Sequence, residues 1–288
     1  MSIRQFRPKR NARLGISTGK KLILNFFFAS LICIEIAYPL VQGEVLRWVT
    51  ISTVLVGAIF VFIDAITNFG SRFAYLLLFI TLILSFGVEA LGQATTWPFG
   101  EYSYSQTLGP QLLKVPLIVP FAWLMMSYPV LLVARKTLHN WVFIYGGFGL
   151  MAWDLFLDPQ MVKADRWTWK FSGASVPFES NIPLSNAVGW LFSGMLLMAI
   201  LNKALPKERR KKADRTKHVD LFLIWTLMSG VIGNLFFFDQ PKVALIGGIA
   251  FGIFLTPFIY KTLLGLPDRK STRLNSSHIP LSRMPSSA

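Results

Sequence analysis

Charged residues are scarce in this sequence. Only 15% of its 288 residues are Asp, Glu, Lys or Arg, well below the roughly 25% usual for soluble domains. Hydrophobic residues make up 53% of the chain, and the mean hydropathy is +0.51. A soluble fold could not cover this much apolar surface. The composition therefore predicts an integral membrane protein of the all-α class.

Cysteine and histidine are also rare. The single cysteine excludes a disulfide framework. Two of the three histidines, His139 and His218, fall in predicted loops, whereas membrane iron oxygenases need several imidazole ligands. No dinucleotide fingerprint, P-loop, Ser-His-Asp set or zinc-ligand spacing is present. We predict no metal and no cofactor, so any chemistry would use carboxyls, aromatic side chains and water.

The C-terminal residues do not resemble protein sequence. Residues 268–278 back-translate to a string that begins GAT CGG AAG AGC, which matches a sequencing-library adapter, and residues 282–288 fit the rest of it. We expect residues 268–288 to be a translated artefact and exclude them from the fold. The predicted organisation is then a basic cytoplasmic tail at residues 1–21 and a transmembrane helical domain at residues 22–267.

Eight apolar stretches approach the roughly 20 residues that a membrane-spanning helix needs. They cover Leu22–Val41, Val45–Ile63, Phe73–Leu91, Leu112–Ala134, Trp141–Leu157, Leu184–Leu201, Leu221–Phe238 and Val243–Leu264. Three prolines in the fourth stretch (Pro116, Pro120 and Pro129) predict kinks. Pro159 predicts that the fifth helix ends or breaks near Asp158.

The basic residues predict the orientation of these helices. A cytoplasmic N-terminus with eight spans leaves 19 Lys and Arg residues on the inner side and 6 on the outer side, before residue 268. This asymmetry satisfies the positive-inside rule. Because the basic residues lie between hydrophobic stretches, they indicate contact with membrane lipid rather than with nucleic acid.

Several acidic residues fall in the outer half of the predicted bundle. Asp154 and Asp158 are four residues apart and share one helix face. An ionisable residue within a span is a candidate functional group, and two carboxyls at one apolar site tend to hold one proton between them. We predict Asp154 as a general acid and Asp158 as its partner, while Asp158 could instead mark the water interface.

Two further acids are candidates for the same site. Glu89 lies in the outer part of the third span, and Glu101 lies in the loop that follows. We predict that both complete the polar end of a pocket. The alternatives are a structural role for Glu89, as the acceptor for an Asn or Trp donor, and a solvated position for Glu101.

Aromatic residues gather on the same predicted side of the membrane. They are Trp97, Tyr102, Tyr104, Trp153, Trp167 and Trp169. Tryptophan and tyrosine commonly form a belt at the membrane interface, which is one interpretation. The other is a pocket whose aromatic faces bind substrate and stabilise a carbocation.

Several ordered motifs resemble the membrane-bound carotenoid hydratase family. They include Trp97-Pro-Phe-Gly-Glu-Tyr-Ser-Tyr104, Val115-Pro-Leu-Ile-Val-Pro-Phe-Ala-Trp-Leu-Met-Met126, Ala152-Trp-Asp-Leu-Phe-Leu-Asp-Pro-Gln-Met161, Trp167-Thr-Trp169 and Ile182-Pro-Leu-Ser-Asn-Ala-Val-Gly-Trp190. The similarity is strongest between about Ser85 and Trp190. Asn186, in the last of these motifs, joins the predicted substrate-binding residues.

The resemblance implies that water is added to the terminal isoprenoid double bond of a carotenoid to give a tertiary alcohol. It implies a carotenoid substrate within the bilayer, a location in a bacterial or archaeal plasma membrane, and other enzymes of the pathway as partners. A carotenoid cyclase could use the same cation chemistry. A proton-coupled transporter and a scaffold without catalysis are the alternatives from other functional classes.

Overall fold

The structure is a computed structural model that describes residues 17–177, 179–209 and 216–262. Its described parts contain eight long α-helices. They are α1 (Thr18–Ala37), α2 (Gly43–Asn68), α3 (Ser71–Thr95), α4 (Val119–Thr137), α5 (Val142–Lys163), α6 (Leu184–Ala204), α7 (Lys217–Phe236) and α8 (Pro241–Thr262). Most of the predicted basic tail and the whole predicted artefact at residues 268–288 lie outside the described residues.

Six of these helices are long and apolar enough to cross a membrane: α1, α2, α3, α6, α7 and α8. The prediction of an all-helical membrane bundle is therefore confirmed. Helices α4 and α5 do not reach the same hydropathy. The count of eight spans and the cytoplasmic N-terminus stay predictions.

Helices α4 and α5 lie at the centre of the bundle. Residues 123–134 of α4 are buried without interruption, because α2, α3, α5 and the helices beyond them surround this segment. Helix α5 packs closely against α6 at Gly147, where a Cβ atom would lie 2.7 Å from a backbone nitrogen of α6. The most polar helices thus have protein neighbours, and the apolar outer helices face the lipid.

Short antiparallel ladders cover one end of the bundle, where the α3–α4 and α5–α6 connections run. Strand β1 (Glu101–Tyr104) pairs with β4 (Trp167–Lys170), and Glu101 lies opposite Lys170. Strands β2 (Gln111–Leu112) and β3 (Val115–Pro116) form a second pair, and β5 (Ser175–Val176) and β6 (Glu179–Pro183) form a third. We call this the hairpin end.

Side-chain contacts fasten the opposite end, which we call the basic end. Lys136 of α4 forms an ion pair with Asp220 of α7 at 2.6 Å. The Arg135 guanidinium donates to Asn202 Oδ1 at 3.0 Å and to the Leu205 carbonyl oxygen at 3.0 Å, near the C-terminus of α6. A cation at a helix C-terminus is electrostatically favourable. These contacts hold α4 against α6 and α7.

The structure corrects the prediction for two helices. Helix α4 begins at Val119 rather than Leu112, since residues 111–116 form the β2–β3 ladder. Pro116 is therefore in a strand, and Pro120 is in the first turn of α4, where a backbone N–H is not needed. Helix α5 continues past Pro159 to Lys163, and Pro159 is buried. Membrane helices tolerate an internal proline where neighbouring helices and local adjustments satisfy the freed backbone groups.

Candidate active site

Two buried carboxyls lie one turn apart on α5. Asp154 is 1% exposed and Asp158 is 3% exposed. The Asn186 amide donates to Asp154 Oδ2 at 3.2 Å and also to Asp158 Oδ2. Trp167 Nε1 donates to Asp158 Oδ1 at 3.1 Å. The Asn186 amide thus joins the two carboxyls, and two carboxyls at one buried site tend to hold one proton between them.

A third buried carboxyl, Glu89 of α3, accepts hydrogen bonds from three aromatic side chains. Tyr102 and Tyr104 donate their hydroxyls to Glu89 Oε2 at 2.6 and 2.9 Å, and Trp123 Nε1 donates to Oε1 at 3.1 Å. Burial and the nearby Glu89 carboxylate raise the pKa of Tyr102 and of Tyr104. Both phenols therefore remain donors at neutral pH.

The β1–β4 ladder builds the roof of the site. Tyr102 lies 6.1 Å from Trp169 between ring centroids, and Tyr104 lies 5.6 Å from Trp167. Trp169 Nε1 donates to the Phe99 carbonyl oxygen at 3.2 Å. Alternate residues of each strand point to the same face, so all four rings project towards the carboxyls.

Three tryptophans from the helices form a wall. Trp123 of α4 and Trp190 of α6 stack with 4.2 Å between centroids and an interplanar angle of 10°. Trp153 of α5 meets Trp190 edge to face at 6.0 Å. Sequence reasoning selected Trp153 and missed the other two, although both lie within the quoted family motifs. Their position within apolar stretches gave no further signal.

A cavity of 430 Å³ connects these groups. At one end it is lined by Glu89, Asp158, Asn186 and the aromatic roof and wall. At the other end Trp225 Nε1 donates to Glu35 Oε2 at 2.5 Å, close to Tyr38. Asp158 and Asn186 line this cavity, and Asp154 does not.

Besides Asp154, the structure leaves two predicted site residues outside the cavity. Glu101 is exposed on the outward face of β1, and Trp97 is 65% exposed before that strand. Their predicted roles stay predictions. Within the described ranges, no group of three or more His, Cys, Asp or Glu side chains is close enough to hold a metal ion.

Apolar helices around a largely apolar cavity with buried carboxyls are typical of a membrane protein with a site for a hydrophobic ligand. Residues 49–256 match the family described as carotenoid biosynthesis protein, and the chain belongs to that family. The family resemblance is thus confirmed, and the protein acts in carotenoid biosynthesis.

One relative is the bisanhydrobacterioruberin hydratase of Haloarcula japonica. It is 29% identical over 211 residues, which cover 70% of this chain and 68% of the relative. No solved structure matches the chain.

Proposed function

We propose that the protein hydrates the terminal isoprenoid double bond of an acyclic or monocyclic carotenoid in a bacterial or archaeal plasma membrane. The observation that carries the proposal is a pair of buried carboxyls that share the Asn186 amide, one of which lines an aromatic cavity. Family membership and the name of the archaeal relative support it. The product would be a tertiary alcohol.

The carboxyl pair supplies the acid and recovers the proton. Asp158 lines the cavity and Asp154 does not, so we exchange the two roles predicted from the sequence. We assign the proton transfer to Asp158 and the support of its charge to Asp154. The proton bonds to the less substituted alkene carbon, and the π electrons form the new C–H bond. The resulting tertiary cation bonds to a water oxygen, which releases one proton to the pair. The net reaction adds one water and consumes nothing else.

The cavity wall is suited to a cation. Aromatic faces attract positive charge by about 0.5–2 kcal/mol each, and more strongly when water is excluded. Trp123, Trp190 and Tyr102 contribute such rings beside the Glu89 carboxylate. A negative charge and fixed ring faces in a low-dielectric site would lower the energy of the cation more than that of the neutral alkene.

The cavity is open towards the lipid-facing surface of α7 and the end of α1. Its lining includes Leu40, Met228 and Ile232, which are 66%, 52% and 44% exposed. A cavity of 430 Å³ suits a ligand of ordinary drug size. It would take only the end of a carotenoid, and the polyene would extend between α1 and α7 into the bilayer.

Pigment analysis tests the proposal. The full chain is expressed in bacteria that accumulate lycopene or γ-carotene, and pigments are separated by liquid chromatography and identified by mass spectrometry. We expect a more polar pigment heavier by one water, and its loss in Asp158→Asn at equal membrane accumulation. A new isomer of unchanged mass would indicate a cyclase instead. Unchanged pigments across a panel of acyclic and monocyclic carotenoids would refute both activities.

A further inference from the structure

A second, much smaller cavity lies on the other side of the carboxyl pair. It is lined by residues of α5, α6, α8 and the β5–β6 hairpin, and its volume is 10 Å³, about the space that one water molecule needs. Its polar lining groups are Asp154, Asp158, Asn186 and Glu179. The remaining lining is apolar. The two cavities therefore share Asp158 and Asn186 but differ at Asp154.

The Asp154 carboxyl indicates that this small cavity is a site for a water molecule. Its Oδ1 atom receives no hydrogen bond from any N–H or hydroxyl of the described residues, although the side chain is only 1% exposed. A buried polar atom without a donor costs about 1–3 kcal/mol. A buried water usually makes two to four hydrogen bonds to such groups, and the four polar lining residues offer that number.

Glu179 connects the cavity to the surface at the hairpin end. It is half-buried at the start of β6, and its neighbours Pro177 and Ser180 are exposed. Burial raises the pKa of the Glu179 carboxyl, and the Lys242 ammonium lowers it by less. A partly buried carboxyl between bulk water and a single-water cavity is well placed to pass water inwards.

We propose that this small cavity is the water site and supply route of the Asp154–Asp158 pair, with Glu179 at its outer side. Water would then approach the pair from the hairpin end, while the carotenoid approaches from the lipid through the large cavity. The use of that water in hydration rests on the proposed function. Two separate routes would keep the large cavity dry around the cation and deliver one water next to the carboxyls.

Infrared spectroscopy in D₂O tests the route without relying on catalysis. The purified full chain is moved from H₂O to D₂O, and the shift of the protonated carboxyl band is followed with time. The band is assigned by its loss in Asp154→Asn or Asp158→Asn. The blocking variants are Ala187→Leu and Ile246→Phe, which fill the small cavity from α6 and α8. Ala199→Leu is the matched control, because Ala199 is exposed on the same helix as Ala187.

We expect each blocking variant to slow the band shift by about tenfold. Water could then reach the carboxyls only after the protein opens around the filled cavity, which raises the barrier to exchange. Glu179→Leu should slow it as well, whereas Ala199→Leu should exchange like the wild type. The rate of carotenoid hydration should fall in the same variants, while the amount of carotenoid that copurifies with the protein should stay unchanged. Wild-type exchange in both blocking variants would overturn the route, as would the absence of any band that depends on either aspartate. Slow exchange in the blocking variants of a protein that hydrates nothing would support the route and refute the proposed hydration.

Discussion

Replacing Glu89 tests whether its carboxylate organises the roof and wall of the site. In Glu89→Ala, Tyr104 and Trp123 lose their acceptor, while Tyr102 keeps the Glu89 carbonyl oxygen at 3.3 Å. A buried donor without an acceptor costs about 1–3 kcal/mol, so two of them cost about 2–6 kcal/mol. This is a large part of a typical stability of about 5–15 kcal/mol. We expect little folded Glu89→Ala protein.

Glu89→Gln should be much milder. Its amide oxygen can face Trp123 Nε1, and its NH₂ group can donate to the tyrosine hydroxyls, which also accept hydrogen bonds. We expect a cost of about 1 kcal/mol, which corresponds to a fall in Tm of about 2–4 °C for a chain of this size.

The assay is thermal unfolding of the purified protein in detergent, together with the yield of monodisperse protein. Ser85→Ala is the matched control on the same helix, because the Ser85 hydroxyl donates only to carbonyl oxygens of its own helix and the substitution leaves no donor unpaired. A Glu89→Ala protein that accumulates normally and melts with the wild type would refute the reasoning. It would mean that Tyr104 and Trp123 find other acceptors at no cost.

Three further outcomes are expected. Gly147→Ala should prevent accumulation of the protein in membranes, because the added Cβ would lie 2.7 Å from a backbone nitrogen and 3.0 Å from a backbone oxygen of α6. The control Gly252→Ala should accumulate normally, because its Cβ would meet nothing within 4 Å. Tyr128→Phe removes a 2.6 Å hydrogen bond to buried Asp64 and should destabilise the protein by about 1.5–3 kcal/mol, measured by thermal unfolding; an unchanged Tm would contradict this. Met228→Trp should narrow the lipid-side mouth of the cavity and reduce pigment conversion at normal accumulation, and full conversion would argue against access between α1 and α7.

The Asp154–Asp158 pair could be predicted from the sequence because side chains are spaced regularly along a helix. Residues 154 and 158 are four apart, so any helix places them on one face, and the structure brings both to Asn186. Which of the two meets the cavity was not predictable. That depends on how α6 and α4 pack around α5, and no local pattern encodes that arrangement.

The loop residues were less predictable because the β1–β4 ladder was not recognised. Without a strand assignment, Glu101 and Tyr102 looked equivalent as neighbours in one loop. Strand alternation separates them, so Tyr102 is buried and Glu101 is exposed. The Trp123–Trp190 stack was missed for a related reason, since it joins residues 67 positions apart on two helices. The start of α4 was misplaced because Leu112 and Leu113 are as apolar as a helix would require.

The two-stranded ladder over the site also limits how relatives of this protein can change in length. Insertion or deletion of one residue within 101–104 or 167–170 would turn every following side chain of that strand to the opposite face. The tyrosines or tryptophans would then leave the cavity, and their polar neighbours would replace them. Length changes should therefore accumulate outside these two strands, for example at residues 171–174 between β4 and β5, while both segments of the β1–β4 ladder keep their length even in relatives that act on different carotenoids.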